Sequence, residues 1–234
     1  MKPIKDVKRL VGQTQYSLDD LVDIVAILRG EGGCPWDMEQ THASIRNNLI
    51  EETYEVVEGI DNKDSELLRE ELGDLLFQIV FHAQIEHEVG CFQMDDVITD
   101  ISKKMIHRHP HVFGTVEVSG TSEVLSNWEN IKTEEKQRNT LVDKLRAIPP
   151  MLPALMRAQK VAKKCGRYDE INRAELCVRM REALDALESG ENAEDALGDL
   201  LMNASAYAHK SELSAEEALT RKTDQLIDDI ADAQ

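Results

Sequence analysis

Aromatic residues are scarce in this sequence: Phe, Trp and Tyr together make up 4% of its 234 residues. Sandwiches and barrels lean on aromatic and β-branched side chains, so the shortage argues against them. Positive charge is also scarce. Lys and Arg number 27 against 45 Asp and Glu, a net charge of −18. Nucleic acid and anionic membranes need a positive field, so neither is a partner expected of the whole chain, although a local basic pocket stays open. The longest charge-free apolar stretch, Leu75 to Ile85, falls far short of the roughly 20 residues of a membrane span. The basic start, Met1 to Gly12, lacks the apolar run of a signal peptide. Cys34, Cys91, Cys165 and Cys177 are scattered, with no pair at zinc or redox spacing. Reduced thiols in a cytoplasmic protein are the expectation.

What the sequence does hold is helical: Leu, Ile, Val, Ala, Glu and Lys, with few Gly and Pro. Ser17-Leu18-Asp19-Asp20 reads as a capping box opening a helix that Gly30, Gly32 and Gly33 end. Further helices are expected over about 43–60, 65–89, 95–107 and 122–139, with Pro110 to Gly120 read as loop. The three prolines between Ala147 and Pro153 mark a boundary, giving modules over 1–146 and 147–234. Four helices are expected after it, the last three announced by Asn172, Asn192 and Ser214. No strand alternation stands out, so the fold class is all-α.

The chain repeats itself. Leu72-Gly73-Asp74-Leu75-Leu76 recurs 125 residues on as Leu197-Gly198-Asp199-Leu200-Leu201. Glu52 and Glu55 have counterparts 130 residues on in Glu182 and Asp185. Similar helices in similar order around both segments make duplication the better reading than chance.

In a chain this acidic, most helix carboxylates belong to a solvated surface. Glu52 is different. At about 100° per residue it falls about 20° from Ile45, on the apolar stripe of Ile45, Leu49, Val56 and Ile60. Glu55 lies at the stripe's edge. On the next helix Glu71, Asp74 and Gln78 border the stripe of Leu68, Leu72, Leu75, Leu76 and Ile79. Glu52–Glu55 and Glu71–Asp74 are both (i, i+3) pairs, so each pair points one way. A short turn near Asn62 lets the helices pack as a hairpin, bringing four carboxylates face to face. Their repulsion calls for a divalent cation, and oxygen ligands suit Mg²⁺ or Mn²⁺.

Lys104 and Arg108, one turn apart, could hold phosphate or simply complement a helix C-terminus. Trp128 and Lys132 are also one turn apart; the indole could cover a base or belong to the core. His107, His109 and His111 in a Pro-containing turn are a weak zinc pattern.

These residues resemble the MazG family of nucleoside triphosphate pyrophosphohydrolases. The family's acidic signature reads here as Glu51-Glu52-Thr53-Tyr54-Glu55 and Glu71-Leu72-Gly73-Asp74. The likeness continues in Gly33-Cys34-Pro35-Trp36-Asp37, Gln40-Thr41, Arg108 to Phe113, Trp128 with Lys132 to Glu135, and Leu152 to Lys160. It implies tandem all-α MazG modules, a dimer, and Mg²⁺-dependent hydrolysis of nucleoside triphosphates to monophosphate and pyrophosphate. By matching position, it implies that Glu52, Glu55, Glu71 and Asp74 hold metal, and that Lys104, Arg108, Trp128 and Lys132 contact the nucleotide.

The second copy departs from this pattern. Ala196 stands in place of Glu71, Arg181 in place of Glu51 and Asp185 in place of Glu55, while Gln225 and Asp229 replace the basic pair. A degenerate module with a structural or dimerising role is the expectation. Two other readings stay open: a hydrolase specialised for one nucleotide, such as dUTP or dCTP, and a non-catalytic helical nucleotide-binding or scaffold protein.

Overall fold

Residues 7–135, 140–190 and 192–233 are described by the computed structural model, and among them there are helices and no strand. The chain forms two compact units, Met1–Val124 and Leu125–Gln234. The first carries α1 (Val7–Val11), α2 (Leu18–Arg29), α3 (Pro35–Glu39), α4 (Arg46–Asp61), α5 (Ser65–Glu88), α6 (Met94–Arg108) and α7 (Pro110–Phe113). Helix α8 (Thr121–Glu135) crosses the division. The second unit continues with α9 (Leu141–Arg146), α10 (Ala154–Lys164), α11 (Arg173–Ser189), α12 (Ala193–Lys210) and α13 (Ala215–Asp232). The end of the helix expected to reach Asn139 lies outside the described residues.

Local chemistry sets the helix starts. The Ser17 hydroxyl accepts from the Asp20 backbone N–H at 3.2 Å, and Asp20 accepts from the Ser17 N–H at 2.9 Å, closing the expected box. Asp64 caps α5 by accepting from the N–H groups of Glu66 and Leu67 at 3.0 and 3.1 Å. The segment 110–113, expected as loop, is a short helix with proline in the first turn, and so is 35–39. Helix α4 starts later than expected, at Arg46. Thr41 and Ser44 exchange backbone-to-side-chain hydrogen bonds at 2.9 and 3.2 Å and hold the preceding residues in a turn.

In the first unit α4 and α5 pack antiparallel, and α2 lies on α5. Gly59 lets the hairpin close: a Cβ there would stand 2.9 Å from the Leu68 Cα and N. The core is Val25, Ile45, Val80 and Phe81, with Leu18, Leu21, Val22, Phe77, Ile85 and Met94 around it. Arg29 ties the 35–40 segment to α5. Its guanidinium donates to the carbonyls of Asp37 and Gln40 at 2.6 and 3.0 Å, to Glu88 at 2.8 Å, and lies over the Phe81 ring at 4.9 Å.

In the second unit α11 packs on α12, and α10 lies on α12. The core is Ala162, Ile171, Leu176 and Ala206, flanked by Tyr168, Met202 and Tyr207. Gln159 of α10 donates to the Leu213 carbonyl at 2.6 Å and accepts from the Ala215 N–H at 3.1 Å, fixing the turn into α13. No helix among the described residues is long and apolar enough to cross a membrane.

Candidate active site

The α4–α5 hairpin brings three of the four expected carboxylates together. Glu52, Glu55 and Glu71 each offer an oxygen within 4.8 Å of the others. Glu52 and Glu71 are half-buried and Glu55 is exposed. Asp74 stands outside that triad but acts on it: its charge raises the pKa of both Glu52 and Glu71.

Burial is the largest cause holding the Glu52 carboxyl above its ordinary value; the charges of Asp74 and Glu55 add to it. Glu71 is raised in the same way, first by burial and then by Glu55, Asp74, Glu70 and Glu58. Burial and like charge are thus the main influences on both carboxyls. Gln78, missed as a site residue, is buried on α5, and its amide acts on Glu52 in the opposite sense, lowering its pKa. Its place in the row Glu71, Asp74, Gln78 was visible in the sequence; its burial was not.

The all-oxygen donor set fits a hard divalent cation. Oxygens within 4.8 Å can converge on one ion, and such an ion would relieve the like-charge repulsion that adds to burial in raising both pKa values.

The expected basic residues are placed differently. Lys104 is exposed on α6, whereas Arg108, at its C-terminal end, is buried. Trp128 and Lys132 belong to the second unit. There the Lys132 ammonium sits 4.7 Å over the Trp128 ring and 3.4 Å from Glu129, which also accepts from Lys164 at 2.9 Å. The (i, i+4) pair therefore meets as the sequence implies.

A histidine pair also escaped the sequence reading. His42, in the turn before α4, stacks on His82 of α5 at 4.9 Å between centroids. Their Nδ1 atoms approach to 2.6 Å, and His42 Nε2 lies 2.7 Å from Glu86. Burial, then the His42 charge, holds the His82 pKa down. The pair anchors the turn carrying Gln40 and Thr41 to the site hairpin.

Comparison with known proteins follows the same residues. The model of the MazG nucleotide pyrophosphohydrolase domain matches residues 40–113, which span α4, α5 and α6. The chain is 42% identical over 220 residues to the nucleoside triphosphate pyrophosphohydrolase of Escherichia coli (strain K12), covering 87% of this chain and 82% of that protein. It is 36% identical over 215 residues to the nucleoside triphosphate pyrophosphohydrolase/pyrophosphatase MazG of Thermotoga maritima, covering 90% and 82%. It is 40% identical over 146 residues to the nucleoside triphosphate pyrophosphohydrolase of Mycolicibacterium smegmatis, covering 60% and 44%.

Proposed function

This chain belongs to the MazG family of nucleotide pyrophosphohydrolases, and from that premise we propose that it hydrolyses nucleoside triphosphates to monophosphate and pyrophosphate at the α4–α5 hairpin. The observation that carries the assignment to this hairpin is the convergence of Glu52, Glu55 and Glu71, with Asp74 beside them. We assign Mg²⁺, with Mn²⁺ as substitute, to these four carboxylates. When bound, such an ion neutralises phosphate charge and lowers the pKa of water. Gln78, buried on α5, is the neutral side chain that favours the ionised form of Glu52. A carboxylate left free of the cation can accept the proton of the attacking water. Lys104 and Arg108, at the end of α6, are the candidates for stabilising the departing polyphosphate. By resemblance, Trp128 and Lys132 contact the nucleotide.

The same reading extends to assembly. Leu72, Leu76 and Ile79 of α5 and Ile60 of α4 are exposed, although helix periodicity sets them on apolar stripes. A second copy covering these faces makes a homodimer. The four cysteines are free thiols, which suits a reducing cytoplasm. From the sequence repeat we read α2 and α4–α6 as one copy and α10–α13 as the other, and so residues 1–146 and 147–234 as tandem modules, the second degenerate.

The test is pyrophosphate release from a panel of ribo- and deoxyribonucleoside triphosphates, with Mg²⁺ or with EDTA. Turnover of several nucleotides that EDTA abolishes is expected. Confinement to one pyrimidine nucleotide would favour a specialised enzyme, and Mg²⁺-dependent binding without turnover would make the protein non-catalytic.

A further inference from the structure

The second unit holds a cavity of about 720 Å³ between α10, α11 and α12. Ligand sites for small molecules run from about 300 to 1,000 Å³, so this space is of that size. It occupies the place in the second hairpin that the carboxylates occupy in the first. Glu182 and Asp199 line it at the repeat positions of Glu52 and Asp74, and Ala196 lines it at the position of Glu71. Losing the Glu71 carboxylate takes a ligand from any metal site and leaves open volume.

Two cations line the same space. Arg167 enters from the segment after α10 and Arg179 from α11. Arg179 stands at the repeat position of Leu49, so an apolar stripe residue has become a guanidinium. Its position is fixed by Glu175, one turn back, at 2.7 Å. The lining thus sets two guanidinium groups beside its two carboxylates.

We propose that this cavity binds a nucleoside monophosphate without a divalent metal. A guanidinium pair suits one phosphate group through forked, charge-assisted hydrogen bonds. A triphosphate fits poorly, because Glu182 and Asp199 would repel the added charge and no metal site remains to offset it. The same two carboxylates accept hydrogen bonds from ring N–H, amino or ribose hydroxyl groups. Ala183, Ala186 and Ala196 leave a low floor beside the half-buried Tyr168 ring, which a flat base can occupy. The choice of a nucleoside monophosphate among phosphorylated compounds rests on reading the chain as a triphosphate hydrolase, since that reaction releases one. The cavity then senses product.

The test is calorimetric titration of the full chain with AMP, GMP, CMP and UMP in EDTA, alongside pyrophosphate release by the same preparation in Mg²⁺. Saturable binding of at least one monophosphate, one per chain, is expected. Arg179→Ala should weaken it about tenfold or more, the worth of a charge-assisted hydrogen bond. Ala186→Leu, which fills the cavity and keeps every charge, should weaken it too; circular dichroism checks that both variants fold. Absence of saturable binding up to about 10 mM, a limit near 3 kcal/mol of affinity, overturns the proposal. So does binding that both variants leave unchanged. If pyrophosphate release is intact in the first of these cases, the hydrolase reading survives alone. If release is absent while binding obeys both variants, the cavity stands and the hydrolase reading falls.

Discussion

The hairpin α4–α5 and the hairpin α11–α12 share residue spacing and differ in how they balance charge. The first crowds Glu52, Glu55 and Glu71 within 4.8 Å and leaves Glu52 and Glu71 with raised pKa values. The second keeps Glu182 and Asp199, loses a carboxylate at Ala196, and adds Arg167 and Arg179 to the same lining. On the proposed reading one hairpin takes its cation from solution, whereas the other carries Arg167 and Arg179 in its lining. Repeat positions 71/196 and 49/179, together with Arg167, carry that difference. On that reading, a few side chains on and beside the apolar stripes are enough to change the ligand a helical hairpin takes.

Removing charge from the first hairpin should have the largest effect. Glu52→Gln keeps the side chain's size and should abolish turnover, read as pyrophosphate release. In metal-free protein the same change should raise the melting temperature, because a carboxylate whose folded pKa is raised destabilises the fold once ionised. A variant that melts lower in EDTA would show that Glu52 is a structural carboxylate.

The two cores come next. Phe81 is 1% exposed and Leu176 is 0% exposed, each at the centre of its unit. Phe81→Ala should cost about 3–5 kcal/mol and Leu176→Ala about 2–5 kcal/mol. Urea unfolding followed separately in each variant measures both. If either substitution costs less than about 1 kcal/mol, that core is not the one described.

A smaller effect belongs to the first unit alone. Asp20 is pulled down to about 2, first by the Ser17 backbone hydrogen bond and then by Arg9 and the Ser17 hydroxyl. A depressed carboxylate contributes stability that is complete above its unfolded value, about 4, and is lost as pH falls toward 2. Urea midpoints between pH 5 and pH 2 should therefore fall less steeply in Asp20→Asn than in the parent. Equal slopes would remove Asp20 from the acid response.

Much of this was legible in the sequence, for reasons that differ by residue. The long helices carry their boundaries in Ser17, Asp64, Asn172 and Ser214, whose side chains accept from the first-turn N–H groups. Helices α1, α3, α7 and α9 span four to six residues, too few for a period of 3.6 to show. The (i, i+3) spacing on adjacent helices anticipated that Glu52, Glu55 and Glu71 meet, but not that Asp74 stands outside their triad. Periodicity gives a face but not its partner. Leu72, Leu76 and Ile79 read as core and are exposed in the single chain. Contacts between distant segments left no trace either: Lys164 on Glu129, His42 on His82 and Arg29 on the 35–40 carbonyls all depend on tertiary packing.

The contrast between the hairpins is tested most directly at one repeat position, by measuring Mg²⁺-dependent pyrophosphate release in Glu55→Gln and in Asp185→Asn. Both proteins must be folded and in the parent's oligomeric state. Losing a metal carboxylate costs a few kcal/mol of transition-state stabilisation, so Glu55→Gln should lower kcat about 100-fold or more. Asp185→Asn should change it by less than about twofold on the same scale. Equal losses in the two variants would contradict the account, because the second hairpin would then share in catalysis.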